Sequence, residues 1–197
     1  MVTTRGSTID RLLGAVDEVV FAEGLTHAPV DTILERAGAS PATLYRAFRT
    51  KDALVAAALD RRHSEWLEVW DAAVERASTD RDRLLAVFDA LEDFQSRPSG
   101  ARWCAFLGTA AAHVGPDPVL DAAVRQETET LRSRLTELAR PVVGKAAPEL
   151  VEALLLLYSG RLAMRLRPGG SDVRLPDTRS LAEVVVEATV RTAPRRG

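Results

Sequence analysis

A chain of 197 residues with 26 basic and 28 acidic side chains has a formal charge of −2, which excludes holding nucleic acid by overall positive charge and leaves such contact to a local patch. A hydrophobic fraction of 46% can fill the core of one large or two small domains, and a single cysteine excludes an internal disulfide. Apolar stretches such as Ala153 to Tyr158 are too short to span a membrane, and no signal peptide stands out, so the expected location is the cytoplasm.

Helical periodicity recurs along the whole chain without strand-like alternation, which predicts an all-α protein. The first helix is expected from Ser7 or Thr8 to Glu23, burying Leu12, Leu13, Val16, Val20 and Phe21 and ending at Gly24. A compact amphipathic run follows (Val30, Ile33, Leu34, Ala37), and Gly38 stands where the chain must reverse through a left-handed conformation. Ser40 and Pro41 then start another helix, the serine hydroxyl as cap and the proline with its φ already set. Thr50 reads as the next cap, with Asp52 behind it at the positive end of a helix dipole.

The helix between these caps is barely two turns long and depends on its neighbours, with Leu44, Ala47 and Phe48 as its buried stripe. Its other face carries Ala42, Thr43, Tyr45, Arg46 and Arg49. Between Glu35 and Asp52 the charged residues are Arg36, Arg46, Arg49 and Lys51, all cationic. Short helix, glycine turn and a second short helix with cations and hydroxyls make a helix-turn-helix, and its leading partner is double-stranded DNA.

Phe21-Ala-Glu-Gly24, then Ile33 with Ala37-Gly38-Ala39-Ser40, then Thr43-Leu44-Tyr45, Phe48 and Lys51 resemble the N-terminal domain of tetracycline-repressor (TetR) family transcription regulators, over roughly residues 8 to 60. The resemblance implies that Thr43, Tyr45 and Lys51 contact phosphates and that Ser40, Pro41 and Ala42 face the groove. Three positions depart from the family pattern: Ala28-Pro29 replaces a capping Thr/Ser pair, Ala47 replaces a histidine, and Leu34 replaces a small residue. Arg46 or Arg49 stands where it can substitute for the contact missing at Ala47.

A long helix from Lys51 to about Ala77 should join the two parts, with Leu54, Leu59, Trp66, Leu67 and Trp70 on its packed sides. Asp80 is expected to cap the next helix, which runs to about Gln95 with Leu84, Val87, Phe88, Leu91 and Phe94 inward. Breaks at 97–100, 115–118, 141–148 and 168–176 delimit about four more helices. The expected organisation is a three-helix DNA-binding domain over residues 1–52 and a helical ligand-binding and dimerisation domain over 53–197.

Within the second domain Trp66, Trp70, Phe88, Trp103 and Phe106 offer aromatic surface beside small residues, with Cys104 and His113 as polarisable neighbours. These are the candidate ligand contacts, and ordinary core packing is the alternative reading. One short recognition helix reads only a few base pairs, so a two-fold pair on a palindromic operator is expected. Its interface is expected on the last two helices, about Ala147 to Leu166 and Asp177 to Thr192, through Leu150, Leu154, Leu157, Tyr158, Leu181, Val184, Val185 and Ala188. The three histidines are far apart and no phosphate loop or nucleophile motif occurs, so no metal, cofactor or enzymatic activity is expected. The sequence therefore reads as a dimeric repressor released from DNA by an unidentified small molecule; a helical ligand-binding dimer with weakened or lost specific DNA binding is the alternative.

Overall fold

Ser7 sets the first helix through a reciprocal cap: its hydroxyl accepts from the Asp10 N–H at 3.1 Å, and its own N–H donates to the Asp10 carboxylate at 2.9 Å. The computed structural model describes residues 7–23, 28–97, 104–112, 118–164 and 177–192, and among these there are helices and turns but no strand. Helix α1 spans Thr8–Val16, and a π turn, Asp17–Ala22, continues it. The regular helix expected through Glu23 is thus corrected: the Glu23 N–H reaches back five residues to the Glu18 carbonyl at 2.9 Å. Val19, Val20 and Phe21 are buried within this turn.

Helix α2 covers Val30–Ala37, α3 Pro41–Phe48 and α4 Lys51–Arg76. Helix α5 runs Asp80–Gln95 with Leu84, Val87, Phe88, Leu91 and Phe94 all inward, as their spacing predicts. Its cap is Thr79, one residue before the expected Asp80: the Thr79 hydroxyl accepts from the Asp82 N–H at 3.0 Å, while Asp80 is already helical and pairs with Arg83. Four further helices follow, α6 Ala105–Ala112, α7 Pro118–Val143, α8 Ala147–Met164 and α9 Thr178–Thr192. Helix α7 passes through Pro141 and stops at Val143, where Gly144, at φ 58°, turns the chain into a short 3-10 turn.

Packing divides the chain into two compact units, Met1–Ser64 with Ser99–Glu127, and Glu65–Pro98 with Thr128–Gly197. In the first, Leu12, Val16, Phe21, Ile33, Leu44, Leu54 and Leu59 form one buried cluster that also includes Phe106, Leu120 and Ala123. Asp17, brought round by the π turn, pairs there with Arg61 of α4. In the second, α8 and α9 pack together, α5 also packs on α9, and Leu84, Leu85, Leu135, Leu150, Leu154 and Val186 are fully buried. Arg179 at the start of α9 donates to Asp82 at 3.1 Å and to Asp89 and pairs with Glu183, while Arg81 reaches Glu187 at 2.7 Å.

Candidate nucleic-acid interface

The turn between α2 and α3 is built by the residue that permits it. Gly38 has φ 57° and ψ 42°; its N–H donates to the Glu35 carbonyl, and the Ala39 N–H reaches the Leu34 carbonyl at 3.0 Å. Those two bonds close the end of α2 with a left-handed residue, and no side chain would meet an obstacle there, so the requirement for glycine is purely one of backbone conformation. Ser40 then caps α3, accepting from the Thr43 N–H at 3.3 Å, with Pro41 as the first helical residue. The Ser40 and Thr43 hydroxyl oxygens lie 2.9 Å apart, so the two groups are held as a pair at the helix start.

Leu44 is fully buried and Phe48 half-buried, and they attach α3 to the first unit's core. Ala47, expected beside them, is exposed: the buried stripe of so short a helix narrows to the i, i+4 pair, and a single methyl does not reach the core. Ser40, Pro41, Ala42, Tyr45, Arg46 and Arg49 are exposed, Thr43 and Lys51 half-buried, and Tyr45 keeps 50% of its surface in solvent. Thr50 caps α4 by accepting from the Ala53 N–H at 3.0 Å, which sets Lys51 in its first turn. The residues predicted from the sequence to meet DNA therefore share one short, largely exposed stretch whose two helix starts are capped by side chains.

Charge on this surface is sorted in a way the spacing alone does not show. Arg36, near the end of α2, donates to Glu18 at 2.9 Å and to Glu23 at 3.0 Å, and these bonds, Glu18's first, hold its guanidinium protonated even more firmly than usual. Arg46, Arg49 and Lys51 form no ion pair among the described residues. Of the four cations between Glu35 and Asp52, one is paired with two carboxylates on the protein's own surface, and the other three are not.

Helix α2 begins at Val30, with Pro29 as its cap residue and no side-chain cap bond, in keeping with the loss of a hydroxyl at Ala28-Pro29. The Pro29 carbonyl accepts from Thr32 at 3.1 Å instead. Leu34, larger than the family pattern at its position, is buried in the core.

The candidate ligand residues divide between the units. Trp66, Trp70 and Phe88 belong to the second, where Trp66 meets Trp70, Phe94 and Tyr158 at ring separations of 5.9, 5.7 and 6.0 Å. Trp70 is fully buried, the Arg134 guanidinium lies 4.5 Å from its ring centre, and its indole N–H has no acceptor among the described residues. Cys104 and Phe106 belong to the first unit; Phe106 stands edge-on to the buried His63 at 6.0 Å, and burial pushes the Cys104 thiol up to about 11. Trp103 and His113 lie outside the described residues.

Of the residues expected at a dimer interface, Leu150, Leu154 and Tyr158 are buried inside the second unit, Leu157 and Val185 are half-buried, and Leu181, Val184 and Ala188 are exposed. Leu156, which periodicity did not single out, is the most exposed large apolar residue of α8 at 74%. No helix among the described residues is long and apolar enough to cross a membrane.

Residues 12–58 match the model of a family described as bacterial regulatory proteins, tetR family. Among solved structures, a TetR-family transcriptional regulator from Streptomyces coelicolor is similar over 94% of this chain and 95% of its own, with 27% identity and a TM-score of 0.77. A transcriptional regulator from Rhodococcus sp. is similar at 23% identity and TM-score 0.76, covering 97% of this chain and all of that one. A TetR-family regulator from Agrobacterium tumefaciens shares the fold at 14% identity and TM-score 0.72, over 92% of this chain and 96% of its own. No curated protein matches the sequence.

Proposed function

We propose that this chain, a DNA-binding transcriptional regulator of the TetR family, works as a homodimeric repressor that a small molecule releases from operator DNA. In this reading residues 1–52 grip DNA, residues 53–197 bind the effector and the second copy, and the protein acts in the cytoplasm as a regulator rather than an enzyme. The observation that carries it is the capped, exposed helix α3, with Arg46 on it and Arg49 and Lys51 just after it, three cations that form no ion pair among the described residues. Thr43, Tyr45 and Lys51 then take phosphates, while Ser40, Pro41 and Ala42, small and exposed, let the helix start enter the major groove.

Dimerisation is supported by exposed apolar residues on two helices packed side by side, Leu156 of α8 and Leu181, Val184 and Ala188 of α9. Two copies related by a two-fold axis would read a palindrome. Effector binding in the second unit is supported by the aromatic cluster around Trp66 and by the buried Trp70 N–H, which has no acceptor among the described residues. Because Trp70 is packed on every side, an effector that reaches it must favour a conformation in which the cluster opens, and α4, which supplies both tryptophans and also begins at Lys51, is the element such a shift would bias.

The missing hydroxyl at Ala28-Pro29 and the neutralised Arg36 favour one second reading, a ligand-binding dimer whose specific DNA affinity has weakened. Selection and sequencing from a library of random duplexes, at low and moderate salt, separates the two. Recovery of a two-fold symmetric motif supports the repressor; binding that is salt-sensitive but indifferent to sequence supports the second reading.

A further inference from the structure

Arg49 occupies backbone that a residue with a Cβ rarely adopts. Its φ is 65° and its ψ −40°, and across it the Thr50 N–H donates to the Phe48 carbonyl at 2.8 Å, the i to i+2 bond of a γ-turn with positive φ. Every other described residue with positive φ is a glycine. The conformation is imposed from both sides. The Arg49 N–H closes α3 on the Tyr45 carbonyl at 3.2 Å, and Thr50, the next residue, is committed as cap of α4 by the Ala53 N–H on its hydroxyl and the Leu54 N–H on its carbonyl. A single residue must therefore reverse the chain between two helices, and glycine would do so without strain.

Arginine stands there instead, and its side chain offers the fold nothing visible in return: it is exposed and forms no ion pair among the described residues. It lies between Arg46 and Lys51 in the uncommitted basic stretch. We infer that Arg49 is a phosphate-contacting residue presented by a strained turn, so that fold stability and DNA affinity are opposed at this position. The inference rests on the DNA-binding reading above and adds a sign to it: removing the side chain should improve one property while impairing the other.

The test compares the full-length wild type with Arg49→Gly and Arg49→Lys, by thermal unfolding and by anisotropy titration of a fluorescent mixed-sequence duplex between about 50 and 200 mM salt. Arg49→Gly should melt about 2–4 °C higher, since relief of the turn outweighs the added freedom of the unfolded chain. It should also bind DNA more weakly, with a log–log salt slope shallower by about 0.9 for each chain bound. Arg49→Lys keeps both the Cβ and the charge and should match the wild type in melting and in slope. An Arg49→Gly protein that melts lower overturns the strain argument. One that binds with unchanged affinity and slope, beside a wild type that binds, overturns the phosphate role and leaves the DNA-binding reading standing; a wild type that fails to bind at low salt overturns both.

Discussion

In the proposed dimer, Leu156→Glu should separate the protomers without unfolding them. Leu156 keeps 74% of its surface in solvent within the protomer, whereas Leu154, two residues earlier on the same helix, keeps none. Fully burying a leucine is worth about 1.5–3 kcal/mol, so the part still available at Leu156 is worth about 1–2 kcal/mol for each copy and about 2–4 for a two-fold pair. Glutamate forfeits that and adds a carboxylate that must lose water at the interface. At about 1.4 kcal/mol for each factor of ten, the dimer should weaken by about 30- to 1000-fold. Sedimentation velocity over a dilution series reads this directly, and circular dichroism with a thermal melt should show an intact protomer. The control is Leu154→Ala, which should cost about 2–5 kcal/mol of fold stability through the cavity it leaves, yet keep the oligomeric state wherever the chain is folded. A Leu156→Glu protein that sediments like the wild type at every concentration would refute the assignment of this face.

Gly38→Ala should cost about 1–2 kcal/mol in urea unfolding, because the position is left-handed and strain alone is introduced; an unchanged midpoint would mean that the turn relaxes freely. Arg179→Met should cost about 1–2 kcal/mol by leaving Asp82 and Asp89 of α5 without their shared partner, a figure reduced for partial exposure, and added salt should narrow the difference from the wild type. The Cys104 thiol, raised from about 9 to about 11 by burial, favours its neutral form in the fold, so its contribution is present below pH about 9 and lost as pH rises from about 9 to about 11. In the native protein, alkylation by iodoacetamide at pH 8 should be slow and should accelerate up to about pH 11, and rapid labelling at neutral pH would contradict the burial.

What could be read from the sequence was whatever a single residue decides locally. Gly38 and the Ser40-Pro41 start needed only backbone chemistry, and the inward face of α5 needed only spacing. The π turn at 17–22 left no such mark, because a hydrogen bond reaching five residues back changes the register without changing composition. Arg36 counted as part of the basic patch until Glu18 and Glu23, well before it in the chain, were brought alongside. Helix α8 is apolar around much of its circumference, so periodicity gave no outward side; packing did, burying Leu150, Leu154 and Tyr158 and leaving Leu156 out. The division of the aromatic and sulfur candidates between the two units also lay beyond any pattern of spacing, since it depends on which helices meet.

The Glu18–Arg36–Glu23 triad has a consequence for how such a regulator finds its target. Each cation withdrawn from a reading head removes attraction for every stretch of DNA alike, and a genome presents about 10⁶–10⁹ wrong registers for each right one. In the proposed mode, a head whose cations toward phosphate are Arg46, Arg49 and Lys51, without Arg36, would leave random sequence quickly. In that proposed mode less of the protein would be idle on irrelevant DNA, and occupancy of the operator would lean more on the fit of α3 in the groove than on non-specific attraction.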